Sequence, residues 1–167
     1  FLEQGLGIVY TEGKASPRRD YISKYDGEYR IWPIAVLIDE SSASASEIFA
    51  GAMQDNDRGL IVGRRSFGKG LVQEEFEVPN SNEGSGALRL TVARFYTPSG
   101  RAIQKPYGEG IDYEHDYEDR LQSGELFLND SIIKTDSVVY RTLFGRDVFG
   151  GGGITPDVFI PLDSTRG

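Results

Sequence analysis

The stretch that decides the fold is Ile31-Trp32-Pro33-Ile34-Ala35-Val36-Leu37-Ile38-Asp39, followed by Glu40-Ser41-Ser42-Ala43-Ser44-Ala45-Ser46-Glu47-Ile48-Phe49. Residues 31–39 form a near-continuous apolar run, the pattern of a buried strand covered on both faces. Pro33 stands near its start, where a missing N–H is tolerated. Ile48, Phe49, Ala52 and Met53 then recur at helical spacing, which predicts a helix from about 44 to 55. Gly59-Leu60-Ile61-Val62-Gly63 reads as a second buried strand. Strand, helix and strand within about thirty residues make a βαβ unit and an α/β fold.

Working outward, residues 6–11 read as a short strand and residues 12–30 as a polar loop or ragged hairpin. Residues 71–78 and 86–96 alternate like paired strands across a polar turn at 80–85. Residues 109–125 are acidic and aromatic, consistent with a surface loop holding a helical turn. Residues 138–149 and 154–162 suggest two strands around Gly150-Gly151-Gly152-Gly153.

Composition narrows the function. The chain of 167 residues is long enough for one domain with a core. A formal net charge of −8 disfavours nucleic acid and anionic membrane surfaces as partners, since both want a basic face. There is no cysteine, so thiolate nucleophiles and disulfides are excluded, and a single histidine argues against multi-His metal sites. No apolar run reaches the about 18 residues of a membrane helix. The chain opens on Phe1 without an initiator Met and is expected to be part of a longer protein, with any targeting segment upstream.

Two segments carry candidate chemistry. Ser44 sits where a strand turns into a helix, close to N–H groups that can stabilise an oxyanion. Ser44-x-x-Glu47 is equally a capping box, and by composition Ser42 and Ser46 are competing hydroxyls. Gly63-Arg64-Arg65-Ser66-Phe67-Gly68-Lys69-Gly70 matches the first seven positions of a nucleotide-binding P-loop. Gly70 stands where Mg²⁺ coordination needs Ser or Thr, and the following residues favour a strand over the required helix. The alternative for Lys69 is a catalytic base, for which Phe67 and the glycines would have to provide a dry setting. An exposed turn lysine is the ordinary reading.

Together the segments Ser42-Ala43-Ser44-Ala45-Ser46-Glu47-Ile48, Gln54-Asp55, Ile61-Val62-Gly63, Phe67-Gly68-Lys69-Gly70-x-Val72-Gln73, Thr97-Pro98-Ser99-Gly100-Arg101 and Ile103-Gln104 resemble the C-terminal processing, or tail-specific, serine peptidases. The resemblance covers about residues 31–105. It implies an α/β, ClpP/crotonase-like core with βαβ units and extra antiparallel strands. It implies Ser44 as nucleophile, Lys69 as general base, Gln73 as the residue orienting the lysine, and the Ala45 N–H as one oxyanion-hole donor. Gln73 is expected on the same side of a strand as Lys69. Glu47 and Asp55 are read as a capping and a helix-end residue. The implied reaction is peptide-bond hydrolysis through an acyl-enzyme, with no metal and no cofactor.

The resemblance further implies protein or peptide substrates held by their C-terminal tails and an extracytoplasmic location in bacteria; homo-oligomerisation is left open. The family's PDZ domain and second oxyanion donor are expected upstream of residue 1. Gly153-Ile154-Thr155-Pro156-Asp157 lies about fifty residues later than the family places it, so residues 106–150 are expected to be a surface insertion in the peptidase core, residues 1–167. Two other readings stand beside this one: a catalytically inactive peptide-binding or scaffold module of the same fold, and a nucleotide-binding domain. A Ser-His-Asp hydrolase would require His115.

Overall fold

The structure, a computed structural model, describes residues 1–80, 84–106, 115–131 and 138–163. Strands β1 (Gly7–Glu12) and β2 (Arg19–Ile22) form the ragged hairpin expected in the first thirty residues. They are followed by β3 (Ala35–Ile38), helix α1 (Ala45–Asp55) and β4 (Leu60–Gly63). β3 and β4 pair in parallel, Ala35 opposite Leu60 and Ile38 opposite Gly63, which closes the βαβ unit. β5 (Leu71–Asn80) and β6 (Gly84–Tyr96) then form a long antiparallel hairpin. The turn at 81–83 lies outside the described residues.

The chain continues through α2 (Asp116–Gln122), a short hairpin of β7 (Val139–Arg141) and β8 (Asp147–Phe149), and β9 (Val158–Phe159). Residues 138–149 therefore hold two short strands rather than one. Gly145, at φ +88°, makes the reversal possible. The strands form an antiparallel sheet in the order β2-β1-β6-β5, a parallel sheet in the order β3-β4-β9, and the separate β7-β8 pair.

The core lies between α1 and the strands. Ile38, Ala50, Met53, Ile61, Ile103 and Ile154 are buried together. The expected burial of β3 on both faces does not occur. Leu37 is 78% exposed, because only the face of β3 that carries Val36 and Ile38 meets the core; Ile31, 82% exposed, lies before the strand. Ile31–Ile34 precede the strand, with a turn in which the Trp32 N–H donates to the Tyr29 carbonyl.

Two segments of the sequence pattern, Gln54-Asp55 and 97–101, meet at the C-terminal end of α1. Arg101, 1% exposed, donates to Gln54 Oε1 and to Asp55 Oδ1, each at 2.7 Å. The Ser99 N–H donates to the other Asp55 oxygen at 3.0 Å. Asp55 is thus the buried counter-ion that fixes the 97–101 turn, beyond being a helix-end residue. Removing one partner of such a pair would leave an uncompensated buried charge, which costs about 3–5 kcal/mol.

The region expected as a surface insertion is partly built into the body. Arg120, Glu125 and Leu126 are 4%, 2% and 0% exposed. α2 supplies the helical turn anticipated within 109–125, while 107–114 and 132–137 lie outside the described residues.

Candidate active site

The three serines of the strand-to-helix turn are in different situations. The Ser42 hydroxyl is committed to the turn: it donates to Asp39 Oδ1 and accepts from the Asp39 N–H, both at 3.1 Å. Ser46 is exposed in the first turn of α1. Ser44 is the N-cap residue and has φ 57° and ψ −114°. Positive φ at a residue with a Cβ costs on the order of 1–3 kcal/mol and persists only where the surroundings impose it. An ordinary N-cap has extended, β-region geometry. The strained turn therefore distinguishes Ser44 from a serine placed only to cap.

Glu47 imposes that conformation. It is 0% exposed, and its carboxylate accepts four hydrogen bonds. Oε2 accepts from the Ser44 N–H at 2.9 Å and the Lys69 N–H at 2.8 Å. Oε1 accepts from the Ser66 hydroxyl at 2.5 Å and the Gly68 N–H at 2.6 Å. The Glu47-to-backbone half of the capping box is thus its tight half. The Glu47 N–H itself donates to the Ser44 carbonyl at 3.0 Å. A carboxylate at the third helical position also complements the positive end of the helix dipole. Sequence reading identified Glu47 as a cap. It missed that the same carboxylate holds the lysine loop, because a partner 22 residues away leaves no local signal.

The loop from Gly63 to Gly70 is pinned from other sides too. The Phe67 N–H donates to the Ser42 carbonyl at 2.9 Å, and the Lys105 N–H donates to the Gly68 carbonyl at 3.0 Å. Gly68, at φ +89°, makes the turn into Lys69. The loop runs into β5 and not into a helix, and its Gly68 and Lys69 N–H groups point at a buried carboxylate. Both features are the reverse of a phosphate cradle.

The Lys69 side chain is exposed. The dry setting expected from Phe67 is not formed around it, since the Phe67 ring packs on Lys105 instead, with the ammonium 3.9 Å from the ring centre. Among the described residues no hydrogen bond joins the Ser44 hydroxyl, the Lys69 amine and the Gln73 amide to one another. Lys69 precedes β5, and a register shift falls between Val72 and Gln73, so simple strand alternation does not relate Lys69 to Gln73. Both side chains are exposed.

Ala45 is the first residue of α1 and is exposed. Among the described residues its N–H takes no intramolecular partner, as befits one of the orphan donors at a helix start. A shallow depression of about 430 Å³ opens beside it, lined by Val36, Leu37, Ser42, Ala45, Ser46 and Phe49. A larger cavity, about 540 Å³, lies at the other end of α1, where Gln54, Arg101, Arg146 and Asp157 are occupied with one another. His115 is exposed at the N-cap of α2, without the buried setting an oriented catalytic imidazole needs.

A model of peptidase family S41 matches residues 1–118, which contain Ser44, Ala45, Glu47, Lys69 and Gln73. The chain belongs to peptidase family S41. Over 108 residues it is 57% identical to a carboxy-terminal-processing protease of Bartonella bacilliformis, covering 62% of this chain and 23% of that protein. Over 73 residues it is 45% identical to a tail-specific protease of Haemophilus influenzae, covering 41% of this chain and 10% of that protein. Among solved structures, the photosystem II D1 C-terminal processing protease matches with a TM-score of 0.60 and 28% identity, over 96% of this chain and 28% of that one. The chain thus spans less than a quarter of the length of these curated S41 relatives. It is a mixed helix-and-sheet structure with a C-terminal processing protease as structural neighbour. Among the described residues, no helix is long and apolar enough to cross a membrane.

Proposed function

We propose that this S41 chain carries the nucleophile and the general base of a serine endopeptidase, Ser44 and Lys69, on a ClpP/crotonase-like core. The observation that carries the reading is the strained Ser44 turn at the head of α1, tied through one buried carboxylate to the backbone of Lys69. In the reaction, neutral Lys69 takes the Ser44 hydroxyl proton as the oxygen attacks the scissile carbonyl carbon. The Ala45 N–H donates to the oxyanion that forms. Collapse breaks the C–N bond, and the Lys69 ammonium protonates the departing amine. Water then attacks the acyl-enzyme, with Lys69 again as base, and releases the carboxylate product. Gln73 orients the lysine amine.

Because Lys69 is exposed here, its desolvation falls to the bound substrate or to the rest of a longer protein. The names of the relatives, carboxy-terminal-processing protease and tail-specific protease, support C-terminal tails of proteins as substrates; an extracytoplasmic setting is part of the proposal. In the full-length protein, Ser44→Ala and Lys69→Ala should each abolish cleavage of an unstructured reporter peptide. Cleavage at the parent rate by either variant overturns the reading. The exposure of Lys69 favours a second reading, a peptide-binding module without catalysis. That reading requires the parent protein to bind the reporter and leave it intact.

A further inference from the structure

The loop that carries Lys69 is held on a third side by residues of α2 and its C-terminal turn. Three ionised side chains, Arg65, Arg120 and Glu125, are 7%, 4% and 2% exposed. Glu125 Oε1 accepts from Arg65 Nε at 2.8 Å and from Arg120 Nε at 2.9 Å, and Oε2 accepts from Arg65 Nη2 at 2.8 Å. Arg120 reaches past the carboxylate to the loop backbone, donating to the Arg65 carbonyl at 2.5 Å and the Ser66 carbonyl at 3.3 Å. Arg65 also donates to the Gly152 carbonyl.

Burying such a triad is expensive, and apolar replacements of similar volume are often as stable or more so. The cluster is therefore poorly explained by stability alone. What its geometry fixes is the course of the backbone at residues 65 and 66. From there the loop continues to the Gly68 and Lys69 N–H groups on Glu47. Nearby, Asp116 lies 3.0 Å from Lys105 Nζ and 3.8 Å from Arg120 Nη1, which offsets part of the local positive charge.

We propose that Glu125, acting through Arg120 and Arg65, is a positioning residue for Lys69, so that the segment carrying α2 sets the competence of the general base. The proposal rests on the Ser44–Lys69 reading. Neither Glu125 nor Arg120 touches the reacting atoms. Their effect comes from where the loop presents the amine, and a displacement of about 1 Å is enough to slow a reaction about a hundredfold.

The test uses the full-length protein and a fluorophosphonate probe that phosphonylates an activated serine, the serine oxygen bonding to phosphorus as fluoride leaves, followed in single-turnover labelling well below the thermal midpoint of every variant. Glu125→Gln keeps the volume and removes the charge. It should slow labelling at saturating probe at least about tenfold, with little change in the probe concentration giving half-maximal rate. In a Lys69→Ala background, Glu125→Gln should add no further slowing, because both changes act through the same group. Arg120→Lys keeps the charge but loses the fork that spans two carbonyls and a carboxylate, and it should slow labelling in the same way. It also carries the test if Glu125→Gln does not fold.

Labelling of Glu125→Gln and Arg120→Lys within twofold of the parent, while Lys69→Ala is slow, overturns the positioning role alone. So does equal slowing by Glu125→Gln with and without Lys69. Labelling of Lys69→Ala at the parent rate overturns both this proposal and the Ser44–Lys69 reading beneath it.

Discussion

Glu47→Gln is the sharpest test of how the candidate site is held. The substitution keeps the size and shape of a side chain that is 0% exposed and removes one acceptor oxygen and the charge. The parent carboxylate accepts four hydrogen bonds, from Ser44, Lys69 and Gly68 N–H groups and the Ser66 hydroxyl. In its best orientation the amide oxygen keeps the Ser44 and Lys69 N–H groups, now without charge assistance. The new NH₂ group then faces the Gly68 N–H, donor against donor. The Ser66 oxygen can accept from the NH₂ group as well as from the Ile154 N–H at 2.7 Å, but its own O–H then loses the acceptor that Glu47 Oε1 provided.

A buried unsatisfied N–H costs about 1–3 kcal/mol, and hydrogen bonds to a charged group are worth about 1.5–3 kcal/mol against about 1 for neutral ones. The sum is a loss of about 3 kcal/mol. Denaturant melts of the variant and parent would measure it as a lower midpoint at unchanged slope. Peptide cleavage should fall at least about tenfold in kcat, since the two candidate catalytic residues lose their common anchor. A stability change below about 0.5 kcal/mol, the range typical of surface substitutions, would refute the view that Glu47 organises the site.

Two further outcomes follow from single residues. Ser44→Gly should raise the thermal midpoint by a few degrees while cleavage is lost, because glycine adopts φ 57° without the strain of a Cβ, worth on the order of 1 kcal/mol, and costs only a few tenths as a cap. A lower midpoint in calorimetry would mean that the Ser44 turn stores no strain. Asp57 is held below the ordinary carboxylate range: burial, the largest single influence, pushes it up, but the Phe144 N–H, Arg146 and Thr142 together outweigh that push. A carboxylate whose pKa falls on folding adds stability that is whole above the unfolded pKa, about 4, and is lost as the pH drops through the lower folded value. Asp57→Asn should therefore lower the thermal midpoint at neutral pH, with the gap from the parent closing below about pH 4; a gap that stays constant with pH would exclude this linkage.

The βαβ unit was legible in the sequence because its signals are local. An apolar run, a helical recurrence at Ile48, Phe49, Ala52 and Met53, and a second apolar run are each a property of neighbouring residues. The β5–β6 hairpin was readable for the same reason, from alternation on either side of a polar turn. The 31–39 run misled about burial, since the same apolar residues suit an edge strand with one bare face. No periodicity within a strand reports how many neighbours it will have.

At the candidate site, the sequence by itself determined which residues are present, their order, and a motif pattern that places Ser44 and Lys69 in one family. Tertiary structure decided what each does locally. It committed Ser42 to a turn, put Ser44 at positive φ, and left the Ala45 N–H without an intramolecular partner among the described residues. It turned a capping glutamate into the tie between two loops, and it brought Arg120 and Glu125 from a supposed surface segment onto the lysine loop. Ser42 and Ser44 are held by partners three residues away, whose geometry only the folded turn reveals. The Glu47 tie and the grip of Glu125 and Arg120 on the lysine loop depend instead on hydrogen bonds and charges between residues some 20 to 60 positions apart. Spacing along a chain encodes helical and strand faces, but not which buried carboxylate will find which distant N–H.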